Sequence, residues 1–116
     1  MIIHRGIHQL MNGDRHVFIA HVFFAVAPSD RKQALDTLLA EVPVVRRMKG
    51  CKVFQPFADP LDPAGLGVIH EWESQEMFAA YSASEGFAEV GKILRPMMTS
   101  DPVSRRFDAK PRETVT

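Results

Sequence analysis

The chain has 116 residues, with 14 Lys and Arg against 14 Asp and Glu, so its formal net charge is zero. This length suits one domain, and the 46% hydrophobic and 24% charged fractions are those of an ordinary globular protein. A neutral chain without blocks of like charge has little electrostatic basis for gripping a nucleic-acid backbone or an anionic membrane. Neither nucleic acid nor a membrane is therefore an expected partner.

The N-terminus and the single cysteine point to a cytoplasmic protein. Residues 1–10 include His4 and Arg5, where a secretion signal needs an unbroken apolar run. The most apolar stretch, residues 17–27, is well short of the roughly 18 residues that suggest a membrane-spanning helix. Cys51 has no second cysteine with which to form an intrachain disulfide, which agrees with a reducing compartment.

The domain is expected to begin after a short extension. Residues 1–15 have no sustained hydrophobic period, so we expect an N-terminal extension followed by a domain over residues 16–109. The domain opens on β-branched and aromatic residues, and residues 16–26 are predicted to form the first strand. Both alternating sets of residues in that strand are apolar, which is typical of a strand covered on both faces.

A helix is predicted after the first strand. Ser29 is its expected N-cap. Its apolar stripe has helical spacing and consists of Ala34, Leu35, Leu38, Leu39 and Val42. Pro43 predicts a kink or a restart near the end of this helix, and Gly50 predicts its stop. The second strand is expected over residues 51–57.

Turn-forming residues crowd the segment 58–65, which predicts a hairpin loop into a third strand over residues 66–73. Ser74 and Ser84 are expected to cap two further helices, the first of which ends at Ser82. The two caps divide the second helical region into two short helices.

The chain is predicted to end with an edge strand and a polar tail. Pro102 opens a fourth strand over residues 103–107, and residues 110–116 form the tail. The order β-α-β-β-α-β predicts an α+β domain of the ferredoxin-like, split βαβ type, with both helical segments on one face of an antiparallel sheet. Because the first strand is apolar on both faces, a second copy of the sheet is the simplest cover for the other face, and we expect a homodimer.

The sequence gives little support for a metal site, a dinucleotide-binding site or nucleophilic catalysis. His16 and His21 are five residues apart, which places them on opposite faces of one strand, so they cannot share an ion. Gly65 and Gly67 resemble the start of a dinucleotide fingerprint, but no third glycine follows at the required spacing. Cys51 has no evident histidine partner and is expected to be a core residue. We therefore expect no metal site and no cofactor site.

The most informative cluster is on the third strand. Alternation places His70 and Trp72 on one face of that strand, and Glu71 and Glu73 on the other. Because the first and third strands are central neighbours in this topology, His21 is expected to lie on the same face as His70. A small-molecule cavity would then be lined by Phe23, Phe78, Phe87, Leu94 and Met98.

Two alternatives for these residues stay open. His70 and Trp72 are also compatible with a role as satisfied core residues, because His and Trp are commonly part-buried without function. The two glutamates are expected to form ion pairs with Arg105 or Arg106 at the rim of the dimer interface rather than to act in catalysis.

Several short motifs resemble the antibiotic biosynthesis monooxygenase family of dimeric α+β barrels. They are Gly50-Cys51 at the second strand, the Asp-Pro-rich hairpin, the segment 71–78, and the small-residue helix break 82–84. The resemblance covers residues 16–109, and Trp72 matches the family's strand tryptophan. It implies a homodimer with a cavity between helices and sheet, in which some members oxygenate quinols or polyketide phenols without metal or flavin.

The sequence departs from the family pattern at two places. Many relatives have a histidine where Tyr81 stands and another in the segment 84–87. The haem-degrading branch uses an Asn on the first strand, which this chain lacks. Haem chemistry is therefore the least favoured of the family's activities.

The leading hypothesis is a cofactor-independent monooxygenase that acts on a small quinol or phenolic compound and O2. A base must remove a phenolic proton so that the anion can pass an electron to O2, and histidine has the unperturbed pKa nearest neutrality. His70 is the expected base and His21 its alternative, with Trp72 and Tyr81 orienting the ring and the oxygen. The rival hypotheses are a non-catalytic dimeric module that binds a small apolar ligand, and a haem-degrading enzyme.

Overall fold

A computed structural model describes residues 16–116 and arranges them as a four-stranded antiparallel sheet with packed helices. The elements are β1 (Val17–Ala25), α1 (Arg31–Arg46), β2 (Cys51–Ala58), β3 (Gly65–Trp72), α2 (Gln75–Ser82), α3 (Glu85–Leu94) and β4 (Val103–Ala109). The strand order β2-β3-β1-β4 confirms the predicted α+β, ferredoxin-like fold, with β4 at an edge. The predicted extension, residues 1–15, lies outside the described residues.

One face of the sheet, hereafter the helix-side face, carries the hydrophobic core. Alternate residues of β1 and β3 point into it, because side chains along a strand alternate between faces. Its buried members include Phe18, Ala20, Phe24, Phe54, Leu66, Val68 and Trp72 from the strands and Ala34, Leu38, Val45, Phe78 and Leu94 from the helices. The helices therefore cover one of the two apolar faces of β1.

The opposite face, hereafter the outer face, stays uncovered in the single chain. Phe23 on this face is 42% exposed, whereas its neighbour Phe24 on the helix-side face is 7% exposed. Other apolar side chains of the outer face are also exposed, among them Ile69, Val103 and Phe107. The sheet thus presents a broad apolar surface to solvent.

The first helix differs from its prediction at both ends. Ser29 is not its N-cap, because Pro28–Asp30 forms a turn of 3-10 helix and α1 begins only at Arg31. The helix then continues through Pro43 to Arg46 without a restart. Pro43 has no N–H to donate to the carbonyl of Leu39, and both residues are exposed, so water can reach that carbonyl. Within residues 16–116, no helix is long and apolar enough to cross a membrane.

The predicted hairpin loop between β2 and β3 is confirmed, and α1 holds it in place. Asp59 and Asp62 each accept a hydrogen bond from a backbone N–H two residues further on, both at 2.9 Å. Arg31 at the start of α1 donates from Nη1 to the backbone oxygens of the same two residues, at 2.9 and 2.7 Å. The loop is thus tied to the helix layer by charge-assisted hydrogen bonds.

The two predicted serine caps are confirmed. Ser74 Oγ accepts from the backbone N–H of Met77, and Ser84 Oγ accepts from that of Phe87, both at 3.2 Å. Each cap satisfies one of the backbone N–H groups that a helix start leaves unpaired. Ser74 fixes where α2 begins directly after β3.

Gly50 is required at the turn into β2. Its φ is +83°, and a Cβ at this position would collide with the side chain of Met77. We expect Gly50→Ala to lower the free energy of unfolding by about 1 to 3 kcal/mol, measured by urea denaturation. Gly91→Ala is the control, since a Cβ there makes only an ordinary contact, and a helix interior favours Ala by about 0.5 to 1 kcal/mol. An equal change in both variants would contradict this assignment.

Candidate active site

The candidate site is built on the helix-side face of β3. His70 and Trp72 both point to this face, as alternation predicted, and they are 3% and 0% exposed. His70 lies opposite Ala20 on β1 and opposite Phe54 on β2. The methyl side chain of Ala20 leaves room for the imidazole ring in the middle of the sheet.

A hydrogen bond joins the two residues. Trp72 Nε1–H donates to His70 Nδ1 at 2.9 Å. The indole nitrogen can only donate, so Nδ1 is the unprotonated nitrogen of a neutral imidazole and the ring proton is on Nε2. Trp72 therefore fixes both the orientation and the tautomer of His70.

Aromatic rings enclose His70. The ring centroids of Phe54, Phe78 and Tyr81 lie 5.7, 5.4 and 5.8 Å from that of the imidazole. Phe78 and Tyr81 are three residues apart on α2, so both point from one side of this helix onto β3. Tyr81 stacks on Trp72 with a centroid distance of 5.2 Å and an interplanar angle of 25°. We call these five residues the aromatic cluster.

Two polar groups of the aromatic cluster have no hydrogen-bond partner among residues 16–116. Every fully buried side-chain nitrogen or oxygen in residues 16–116 has a hydrogen-bond partner. Neither His70 Nε2 nor the hydroxyl of Tyr81 bonds to another described residue, so both atoms must reach the surface of the cluster. They are the points at which the cluster could hydrogen-bond to a ligand.

Burial keeps both groups neutral. It lowers the pKa of His70 to about 4, with smaller contributions from the positive charges of Arg106 and His21. It also raises the pKa of Tyr81 well above its usual value, helped by the negative charges of Glu41 and Cys51. Near neutral pH the cluster therefore carries no charge of its own.

This geometry changes the role expected of His70. A general base needs a ring nitrogen with a free lone pair. In the described structure Nδ1 already accepts from Trp72, and Nε2 carries the proton. His70 therefore presents an N–H donor, not a base, to any ligand at the surface of the cluster.

The predicted juxtaposition of His21 with His70 is wrong. In the register of β1 and β3, Ala20 lies opposite His70, and His21 lies opposite Ile69. His21 and Phe23 therefore point to the outer face, where the two rings make an edge contact at 6.5 Å. Because every second residue of a strand points to the same face, His21 and Phe23 share a face with Ile19 and point away from the aromatic cluster.

The remaining predicted lining residues divide between the cluster and the core. Phe78 belongs to the cluster, and Phe87 extends it, because its ring makes an edge contact with Tyr81 at 5.3 Å. Leu94 is buried in the core. Met98 bridges to Val26, beyond the opposite end of β1 from Trp72, and is not brought to His70.

Arg106 is a site residue that the sequence analysis did not identify. It lies opposite Ala20 on the helix-side face, and its guanidinium carbon is 4.9 Å from the ring centroid of Phe78. Arg105 points to the outer face and lies over Phe107 at 5.5 Å. The expected ion pairs of Glu71 or Glu73 with these arginines are not formed among the described residues.

The rings of Phe54, Phe78 and Tyr81 line the space around His70 in which a cavity was expected. A separate cavity of about 1070 Å³ lies between the start of β1, the β3–α2 junction and the C-terminal tail. Its lining includes charges of both signs, among them Lys52, Glu73, Asp108, Arg112 and Glu113. Within residues 16–116 no three His, Cys, Asp or Glu side chains come together to hold a metal ion.

The low pKa of His70 makes the free energy of unfolding depend on pH. The unfolded chain gains a proton near pH 6.5 and the folded chain only near pH 4, so stability is full above pH 6.5 and falls as the pH drops through this window. The full loss is about 3 kcal/mol. We expect urea unfolding near pH 7 and pH 4.5 to show a loss about 2 to 3 kcal/mol larger in the wild type than in His70→Gln. Equal losses would contradict burial of a neutral His70, because all other titrating groups are shared.

The chain resembles known proteins in both sequence and fold. A family model described as antibiotic biosynthesis monooxygenase matches residues 17–92. A comparison with curated protein sequences found no significant match. The family match includes β1 to β3, α2 and most of α3, and therefore the residues of the aromatic cluster.

Solved structures share the fold at low sequence identity. One described as an antibiotic biosynthesis monooxygenase has a TM-score of 0.74 and 20% identity, covering 81% of this chain and 99% of its own. A Nitrosomonas europaea protein, provisionally described as an antibiotic biosynthesis monooxygenase, has a TM-score of 0.78 and 12% identity. The match covers 82% of this chain and 91% of that protein. A Bacteroides thetaiotaomicron protein of unknown function, for which an oxidoreductase role has been suggested, has a TM-score of 0.75 and 17% identity, covering 82% and 99%. With the family match and this shared architecture, the chain belongs to the antibiotic biosynthesis monooxygenase family.

Proposed function

We propose that the protein is a cofactor-independent monooxygenase that acts on a small phenolic or quinol compound and O2. The observation that carries this proposal is the buried His70, whose Nδ1 accepts from Trp72 while its Nε2–H, at the surface of the aromatic cluster, has no partner within the part of the chain that the structure describes. A buried donor of this kind suits a ligand oxygen that gains negative charge during reaction. Membership of the family supports an oxidoreductase.

The proposed chemistry needs a substrate anion. A phenolic ring conjugated to an acidic CH2 group loses one proton to water and becomes electron-rich at that carbon. Transfer of an electron to O2 and formation of the C–O bond give a hydroperoxide after the oxygen takes up a proton. Loss of water from the carbon that still bears hydrogen leaves a carbonyl, so CH2 and O2 become C=O and H2O.

The cluster residues divide these tasks. His70 donates from Nε2–H to the substrate oxygen and stabilises the anion, and Tyr81 offers a neutral hydroxyl to the same ligand or to reduced oxygen. Trp72 is fully buried and acts through His70, so it is a positioning residue. The surrounding rings exclude water from the oxygenated intermediate.

Oxygen uptake by the purified protein tests this function. With a panel of quinols and anthrone-like phenols, we expect uptake that persists after chelator treatment. His70→Gln should lower the turnover rate about 100- to 1,000-fold, as loss of one donor to a developing oxyanion does, with little change in melting temperature. His16→Gln, an exposed residue outside the cluster, is the control and should keep full activity.

Two results would contradict the proposal. One is saturable binding of these compounds with no oxygen uptake, which would favour the non-catalytic binding module. The other is full specific activity in a folded His70→Gln protein, which would leave His70 as a core residue only.

We further propose that the protein acts as a homodimer that buries the outer face. Four apolar side chains of this face are more than a third exposed in one chain: Phe23, Ile69, Val103 and Phe107. Phe57 lies flat over Gly67, where a Cβ would meet its ring, and makes an edge contact with Phe23 at 6.2 Å. An exposed group of apolar side chains of this kind suits a second sheet.

Light scattering tests the dimer. We expect a mass near 26 kDa, twice the 13.0 kDa of one chain, at micromolar concentration. Phe23→Glu places a charge in the middle of the outer face and should give monomers, because burying an unpaired carboxylate is costly. Leu61→Glu, at a 92% exposed position of the hairpin loop, should leave the dimer intact. A wild-type mass of 13 kDa would overturn the proposal.

A further inference from the structure

One row of residues crosses the helix-side face of the sheet. Phe54, His70, Ala20 and Arg106 lie opposite one another on β2, β3, β1 and β4. Neighbouring strands are about 4.8 Å apart, so the backbones of His70 and Arg106 are separated by about 10 Å. Only the methyl group of Ala20 lies between them, and their longer side chains extend above it on the same face.

Phe78 connects the two side chains. Its ring centroid is 4.9 Å from the guanidinium carbon of Arg106 and 5.4 Å from the centroid of the His70 ring. The guanidinium therefore lies beside the aromatic cluster, at the point where the helix layer gives way to the exposed strand β4. Its charge is felt at the imidazole, since it disfavours protonation of His70.

The charge of Arg106 is not neutralised by a carboxylate of residues 16–116. Its recorded hydrogen bond runs from Nε to Ser104 Oγ at 3.2 Å. Asp108 lies two residues along β4 on the same face, but it forms no ion pair with Arg106. The two terminal NH2 groups of the guanidinium keep four donors in a planar fork, a geometry that fits a carboxylate or a phenolate oxygen.

A second, independent donor lies beside this charge. His70 is 97% buried, given its exposed fraction of 3%, yet its Nε2–H has no partner among the described residues. Because every fully buried side-chain nitrogen or oxygen of residues 16–116 has a partner, this N–H must reach the surface, where water or a ligand satisfies it. The imidazole and the guanidinium thus lie on either side of Ala20 in this row, and both contact the ring of Phe78.

We propose that the Nε2–H of His70 and the guanidinium of Arg106 form an anion-binding end of the site, and that its ligand is an aromatic compound with a carboxylate or phenolate at this end. The aromatic part of the ligand lies against the rings of the aromatic cluster, since Phe78 contacts both the guanidinium and the imidazole. Arg106 is then a specificity-determining residue. This assignment deepens the proposed function and names its substrate class.

The anion-binding end accounts for how a substrate could ionise without a protein base. A cation and a neutral donor next to a phenolic oxygen favour its anion and so lower its pKa. The proton can then leave to water at the exposed side of the site. Arg106 thereby supplies the charge stabilisation that the neutral His70 cannot supply alone.

Binding of a matched pair of probes tests the proposal without turnover. The probes are 4-hydroxybenzoate and 4-hydroxybenzamide, which have the same size but differ by one negative charge near neutral pH. Binding is measured without oxygen by calorimetry and by the fluorescence of Trp72, the only tryptophan in the chain. We expect the wild type to bind the carboxylate at least about tenfold more tightly, as a charge-assisted hydrogen bond allows.

Variants assign the preference to one side chain. Arg106→Met should bring the ratio of the two affinities close to one, and Arg106→Lys should keep a part of it, because lysine retains the charge without the fork. Arg105→Met is the matched control, since Arg105 also lies over a phenylalanine ring but on the outer face. It should keep the full preference at concentrations where its light-scattering mass equals that of the wild type.

The outcomes separate this proposal from the proposed function. Equal affinities in the wild type, failure of both probes to bind at millimolar concentration, or a full preference in Arg106→Met would each overturn the anion-binding end. A preference that is lost in Arg106→Met, together with no oxygen uptake, would support the anion-binding end while rejecting the monooxygenase.

Discussion

The hydrogen bond from Trp72 to His70 is the constraint on which the rest of the site depends. It satisfies two buried polar groups at once, each of which would otherwise cost about 1 to 3 kcal/mol. It forms between residues i and i+2 of one strand, so the alternation of β3 is enough to bring the two rings to the same face. Because it occupies Nδ1, it also decides that the ring turns an N–H towards ligand.

The two faces of the sheet have separate tasks because β1 is apolar on both sides. On the helix-side face, α2 brings Phe78 and Tyr81 down onto β3 directly after the Ser74 cap. The apolar side chains of the outer face stay exposed in the single chain and are available for contact with another surface. A change in strand register by one residue would exchange the two faces, so the site and the proposed dimer depend on the same pairing of β1 with β3.

The sequence was sufficient for the fold, since strand alternation, turn residues and serine caps are local signals. It placed His70 and Trp72 correctly because both lie on one strand. It failed for His21, because the face on which His21 lies follows only when the alternation of β1 is combined with the β1–β3 register. It named Arg106 only as an ion-pair partner at the dimer rim, because only the register shows that Arg106 and His70 both lie opposite Ala20. Ser29 failed as a cap because the preceding proline supports a 3-10 turn there.

The position of charge in the site follows from the cost of burying it. A protonated His70 would place a second cation near Arg106, and would place it in a ring-lined interior where its charge is poorly solvated. The chain avoids this cost by keeping the buried imidazole neutral and holding its cation on the exposed edge strand β4. Water solvates the guanidinium there until an anion takes its place. A site of this kind gains its missing negative charge from the ligand, which is why a buried neutral donor and an exposed cation belong together.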